Sequence, residues 1–194
     1  AGELQLPLNN CGVVALDFIG DQGIATSIGH SPISALINPA AGSKNSIAEA
    51  LTNIIWAPLN KKINGISLSA NWMWPCKNTG EDARLYKAVE AASKFAIELG
   101  INIPTGKDSL SMNQKYKNKQ VKSPGTVIIS ATSQCTDINN ITEPVFKKNN
   151  GSIYYINISS DNYFLGGSAL GQIIVSIGKK CSSVKNPKLF VKIF

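Results

Sequence analysis

Between residues 43 and 99 the period of the apolar residues changes from helical to alternating and back. In 43–57 (SKNSIAEALTNIIWA), Ile47, Leu51, Ile54 and Ile55 recur at i, i+4, i+7 and i+8. That spacing predicts an amphipathic helix, and Pro58 is its predicted stop. In 65–72 (GISLSANW), Ile66, Leu68 and Ala70 alternate with Ser67, Ser69 and Asn71. That period of two predicts a strand with one buried face. In 81–99, Leu85, Ala88, Val89, Ala92, Ala96 and Leu99 keep a second helical stripe. Thr79 is its expected cap, Glu81 and Asp82 suit its positive end, and Gly100 closes it. A helix with one apolar stripe must lay it on another layer, so this order places the chain in the α/β class.

The flanking segments extend the pattern. CGVVALDF (11–18) predicts a buried strand, followed by a Gly-bearing loop that carries His30 between Gly29 and Ser31. Ile101–Ile103 predicts a short strand, PTGKDSLSM a Gly-bearing turn, 113–122 a polar hairpin, and 125–135 a further strand. The polar, turn-rich stretch 136–150 reads as a connection. After it come an expected strand (SIYYINIS), a Gly-Gly turn, a helix from about Ser168 and a helix opened by NPKLFVKIF. The expected division is a first domain over 1–137, a connection over 138–150, and the cut-off start of a second domain over 151–194.

Composition excludes several classes. Hydrophobic residues make up 43% and charged residues 16%, which is globular usage and not that of a disordered or fibrous chain. No run approaches the roughly 18 apolar residues of a membrane span. AGELQLPLNN has neither a basic start nor a long apolar stretch, so no signal peptide is expected and the expected location is cytoplasmic. The net charge is +7, but the lysines gather in loop-like stretches such as KYKNK without interleaved aromatic residues. A nucleic-acid partner is therefore not expected, and a small phosphorylated molecule is the better beneficiary of the positive field. Four cysteines at scattered spacing and one histidine exclude a zinc cluster or a multi-histidine metal site within this chain.

Four local patterns could carry chemistry. Glu49 and Asn53 lie one turn apart on a helix face other than the apolar stripe. They could hold a hard cation such as Mg²⁺, or simply be a solvated face. Thr105-Gly106-Lys107-Asp108-Ser109 could cradle a phosphate or be an ordinary turn; it lacks the Walker A spacing. Trp72 and Trp74 read as core anchors or as the rim of a presented edge. Gly166-Gly167-Ser168 before a helix suits either an anion or a tight turn.

Taken in order, QLPLNNCGVVAL, AEALTN, LSANWMW, GED, GKDSLSM, SPGTVIIS and LGGSALGQ resemble the phosphoribosylformylglycinamidine synthase family over nearly the whole chain. The similarity is to the second half of its synthetase region. It implies a fold like the N-terminal domain of aminoimidazole ribonucleotide synthetase, with a mixed sheet, flanking helices and a barrel-like core made by pairing sheets. It implies a segment of an ATP-dependent glutamine amidotransferase, a ligase that converts formylglycinamide ribonucleotide to formylglycinamidine ribonucleotide in purine biosynthesis. The expected partners are the remaining synthetase domains, the glutaminase domain and a small phosphorylated substrate. The isolated chain is expected to be inactive.

The same resemblance implies a structural nucleotide (ATP or ADP) site with Mg²⁺. It puts metal ligands at Asn10, Glu49 and Asn53, and nucleotide contacts at Asn9 and Asn10. The family has an Asp where this chain has Asn10, which removes a charge from the site. Lys107, Asp108 and Ser109 fall on a family block that either touches substrate or shapes an interface. Two other readings are a non-catalytic scaffold that pairs sheets and holds a nucleotide, and another enzyme of the aminoimidazole ribonucleotide synthetase superfamily.

Overall fold

The computed structural model describes residues 10–146, 148, 151–159 and 161–194. Strand β1 (Cys11–Ala15) is the apolar run expected near the start, and it ends three residues sooner than expected. Strand β2 (Gly23–His30) lies where the sequence predicts a loop. The alternation there is one of size rather than polarity. Gly23, Ala25, Ser27 and Gly29 are buried, while Ile24, Thr26, Ile28 and His30 are exposed. His30 is thus the last residue of a strand.

Helix α1 (Pro32–Ile37) occupies the short apolar segment between the two prolines. Helix α2 (Pro39–Ile54) starts before residue 43, because Asn38 caps it by accepting the Ala41 N–H at 3.1 Å and Pro39 fits its first turn. Ile47, Leu51 and Ile54 are fully buried, as their spacing requires. A 3₁₀ turn over Lys62–Gly65 leads into β3 (Ser67–Met73), which buries Leu68 and Ala70. Helix α3 (Glu81–Leu99) has the expected bounds. Its N-cap is Gly80 at φ +80°, not Thr79, and no side chain caps it. Val89 is exposed, and the fully buried Phe95 carries the stripe in its place. Gly100, at φ +71°, ends the helix.

Strand β4 (Asn102–Ser109) runs through the expected GKDS turn; the segment is extended backbone paired with β3. The hairpin β5 (Asn113–Tyr116) and β6 (Lys119–Lys122), and strand β7 (Thr126–Cys135), match their expectations. Helices α4 (Ala169–Ile173) and α5 (Pro187–Ile193) follow. The expected strand SIYYINIS does not form. Ile153, Tyr154 and Tyr155 are exposed, and no described strand lies beside them to accept their backbone hydrogen bonds.

The main sheet has the order β1-β2-β7-β3-β4. Only β3 and β4 are parallel; the other pairs are antiparallel. The result is a mixed sheet with flanking helices. Ala25, Leu68, Ala70, Ile129 and Ala131 bury one face in the same core as α2 and α3. On the other face Val14, Ile24 and Ile28 remain exposed. Phe190 of α5 and Val184 join the core, with Phe190 edge-on to Phe95 at 6.3 Å between ring centroids.

Candidate functional site

The site begins with a glycine. A Cβ at Gly29 would run into the carbonyl oxygen of Ser46 and the backbone nitrogen of Ala50, so only Gly lets α2 sit this low on β2. Ser27 fixes the same contact by donating its hydroxyl to the Ala50 carbonyl at 2.6 Å. This seating carries the polar face of α2 to the end of β2. Glu49 Oε2 accepts the backbone N–H of His30 at 2.6 Å, and Asn53 Nδ2 donates to the Ile28 carbonyl at 2.9 Å. The last residue that β1 pairs with β2 is Cys11, opposite Ser27, so these two side chains satisfy backbone groups just beyond that pairing.

Asn10, Glu49 and Asn53 then line one cavity of about 650 Å³, together with Thr26, Ser130 and Thr132. Both side chains of the helix pair are tied to the strand, and Glu49 remains exposed. Asn53 has turned its Nδ2 to β2, so Oδ1 is the atom it could offer a cation. With a Glu49 carboxylate and the Asn10 side-chain oxygen, the set is all oxygen and carries one negative charge. That is a donor set for a hard cation. Among the described residues no three His, Cys, Asp or Glu side chains converge as a metal cluster. Mg²⁺ here would need ligand phosphates and waters to complete its shell, which is its usual habit. Asn9 lies outside the described residues.

A second cavity of about 370 Å³ adjoins the first and shares Asn10 and Asn53 with it. Its other walls are the apolar Trp56, Pro144, Val145 and Phe146, with Thr142 and Glu143 between them. Trp56 and the 144–146 segment are held together by Thr142, whose N–H donates to the Trp56 carbonyl at 2.9 Å. Sequence spacing does not find this wall. The only signal is an aromatic residue just past the end of an amphipathic helix. His30, to which the sequence assigns no role, brings Nδ1 to 3.7 Å from Glu49 Oε2.

The other candidates separate. Lys107, Asp108 and Ser109 line neither cavity. Being in a strand they alternate: Lys107 Nζ donates to Ser109 Oγ at 2.6 Å along one face, while Asp108 points to the other. There Asp108 lies close enough to Cys76 to help raise its thiol pKa, after burial itself and alongside Asp82 and Glu81. Trp74 is a core anchor, fully buried, with its indole N–H on Glu81 Oε2 at 2.9 Å. Glu81 also pairs with Arg84, which donates to the Ala35 carbonyl at 2.6 Å. Gly166-Gly167-Ser168 is a tight turn. Gly167 takes φ +74°, a Cβ on Gly166 would strike the Lys180 carbonyl, and Ser168 caps the five-residue α4. No disulfide joins any of the four cysteines among the described residues.

A family profile described as the FGAR-AT PurM_N-like domain matches residues 1–134. A probable phosphoribosylformylglycinamidine synthase of Caenorhabditis elegans is 41% identical over 196 residues, covering all of this chain and 15% of its own length. The phosphoribosylformylglycinamidine synthase of Homo sapiens is 36% identical over 195 residues, covering all of this chain and 14% of its own length. The chain thus spans a small part of the curated relatives it matches. Among solved structures, Thermotoga maritima PurL complexed with ATP superposes with a TM-score of 0.52 at 17% identity, over 72% of this chain and 22% of that one. The same protein complexed with FGAR gives 0.52 at 16% identity, over 70% and 21%. At that identity the likeness is one of fold.

Proposed function

Because this chain belongs to the FGAR-AT PurM_N-like domain family, we propose that it is a segment of an ATP-dependent glutamine amidotransferase of purine biosynthesis. The whole enzyme would convert formylglycinamide ribonucleotide to the formylglycinamidine ribonucleotide. Within it, this chain holds a nucleotide (ATP or ADP) through Mg²⁺. The observation that carries the reading is the junction of two cavities at Asn10 and Asn53, one lined mainly by polar residues and one with a Trp56, Pro144, Val145 and Phe146 wall. An apolar slot walled by Trp56 and Phe146 suits a purine base, since aromatic rings stack on its face. The polar cavity beside it suits phosphates and their cation.

The residues have separable roles. Glu49 supplies the one formal negative charge to the cation, and its bond to the His30 N–H holds the carboxylate in place. Asn53 is fixed to the Ile28 carbonyl and offers its oxygen. Asn10 stands where both cavities meet and orients the ligand between them. Bound Mg²⁺ would neutralise the phosphate oxygens. Asn9 is proposed as a further nucleotide contact on the resemblance alone. The partners in this reading are the remaining synthetase domains, the glutaminase domain and a small phosphorylated substrate, with the exposed sheet face pairing into a barrel-like core. Residues 1–137 form the first domain and 151–194 begin the second, in a cytoplasmic enzyme whose isolated segment lacks the full activity.

Asn10 favours a second reading, in which the segment is a scaffold. An Asn in place of the family's Asp leaves one charge where two would stand, and that weakens the hold on Mg²⁺. Calorimetric titration of Mg²⁺-ADP into the chain decides between them, with Glu49→Ala as control. Saturable binding abolished by the substitution supports the nucleotide site. Absence of binding in the unsubstituted chain rejects it and leaves the scaffold.

A further inference from the structure

β5 and β6 form a two-stranded sheet of their own, apart from the main sheet. Asn113 stands opposite Lys122, Gln114 opposite Val121, Lys115 opposite Gln120 and Tyr116 opposite Lys119, with Lys117 and Asn118 as the turn. Residues 114–122 are all exposed, and a two-stranded ribbon with no buried face is marginal in water. Its charge is of one sign. Between Asp108 and Asp137 the sequence holds four lysines, all in this hairpin, and no acid. None of the four is in an ion pair among the described residues, and Lys117 Nζ lies over the Tyr116 ring at 5.6 Å. The two edges of the ribbon differ. The Asn113 N–H donates to the Ser111 carbonyl at 2.7 Å, so it points away from Lys122. Ladder bonds alternate, so Asn113 and Lys115 turn their main-chain groups outward on β5, and Gln120 and Lys122 turn theirs outward on β6. On β5 the outward groups are engaged: Ser111 takes the Asn113 N–H, and the Gln114 side-chain Nε2 donates to the Lys115 carbonyl at 3.1 Å. On β6 no described strand lies beside Gln120 and Lys122.

We propose that the open edge of β6 takes an acidic, extended segment of a protein partner as a third strand. Main-chain hydrogen bonds to Gln120 and Lys122 hold the segment, and the side chains opposite Lys119, Val121 and Lys122 give it specificity. Lys119 and Val121 share one face of the ribbon and Lys122 lies on the other. The incoming strand therefore carries an acid on each face and an apolar residue opposite Val121. Lysines along an edge repel a second copy of the same hairpin, and the same charge admits a strand of opposite sign. That strand supplies the third member the ribbon lacks. Nucleic acid fits less well, because stacking of successive bases needs several open rings and the hairpin offers Tyr116 alone, with Lys117 over it. The inference goes beyond the proposed function and uses no residue of the nucleotide cavities or of the main sheet.

The test is an amide NMR titration of the 194-residue chain with the acetylated, amidated peptide TEVTET. Laid antiparallel on β6, its two acids stand opposite Lys122 and Lys119 and its valine opposite Val121. Saturable shifts are expected at residues 113–122, with an affinity that falls as salt is raised. The lysine counterpart TKVTKT should not bind. Exposed ion pairs are individually modest, so Lys119→Glu combined with Lys122→Glu should lower the affinity for TEVTET about tenfold. The same double variant should gain binding of TKVTKT, a rescue that a purely structural role of the lysines would not give. Both positions are exposed, so the amides of the main sheet should keep their native spectrum, which serves as the folding control. Methylating the TEVTET amide nitrogens that face β6 should abolish saturation. Binding that survives methylation, an affinity unmoved by the double substitution, shifts confined to residues outside the hairpin, or no saturable shift would each overturn the proposal. A hexauridylate that moves the same amides at lower concentration than TEVTET would assign the hairpin to nucleic acid and overturn it as well. The experiment contains neither Mg²⁺ nor nucleoside diphosphate, so its outcome is independent of the nucleotide reading.

Discussion

Glu49 on α2 accepts the backbone N–H of His30, the last residue of β2, at 2.6 Å. One turn further along the helix Asn53 grips the Ile28 carbonyl. The candidate ligands are therefore positioned by main-chain groups of a strand, not by their own side-chain packing. Their geometry depends on how close the helix lies to the sheet.

Gly29→Ala tests that dependence. The added methyl has backbone on its far side and cannot be accommodated by a rotamer change. Overpacking of this kind costs about 1–3 kcal/mol. A lowered urea midpoint is expected, with Mg²⁺-ADP affinity falling in the molecules that remain folded. Unchanged stability would mean that α2 can lift without loss.

Asn10→Asp restores a carboxylate to the oxygen set. Added ligand charge tightens hard-cation binding, and an increase of about tenfold in Mg²⁺ affinity is expected. Titration of Mg²⁺ against a fixed concentration of ADP measures it. An equal or weaker affinity would place Asn10 outside the cation's shell.

Leu51→Ala removes a fully buried side chain between α2 and the sheet, and should cost about 2–5 kcal/mol by denaturant unfolding. Ile28→Thr, on the exposed face of β2, should stay within about 0.5 kcal/mol in the isolated chain. The comparison distinguishes the two faces of the sheet by energy.

Burial, with Cys135 as the lesser cause, pushes the Cys11 thiol from 9.0 up to about 11. The unfolded chain therefore loses this proton first as the pH rises. The stability that depends on the protonated thiol is complete below pH 9 and is lost between pH 9 and about 11. Urea midpoints measured at pH 8, 9.5 and 10.5 should fall more in the parent chain than in Cys11→Ala. Parallel declines would show that other groups govern the alkaline limb.

The parts of the fold legible in the sequence are those where apolar residues mark the period. Ile47, Leu51 and Ile54 announce α2, and Leu68 and Ala70 announce β3, because burial selects large apolar side chains at those steps. β2 escapes the same logic. Its buried positions must be small to admit α2, so its isoleucines face outward and the pattern is inverted. Thr79 is passed over as a cap because Gly80 reaches the left-handed region at no steric cost. GKDS reads as a turn from composition, yet its backbone is recruited by β3 into the sheet, a pairing that no local signal encodes. The Glu49–Asn53 pair is visible from its spacing. Trp56 and Phe146 are not, because they meet only after β7 has returned the chain to the end of α2.

The edge-on contact of Phe95 and Phe190 joins positions at the middle and near the end of the sequence. All the described strands and both long helices precede α5 in the chain, but α3 keeps one aromatic face uncovered until Pro187–Ile193 has been made. During synthesis that face is exposed while the rest of the core is already closed. Nascent chains halted before Phe190 should therefore be the species that a chaperone holds, and release should coincide with the emergence of α5.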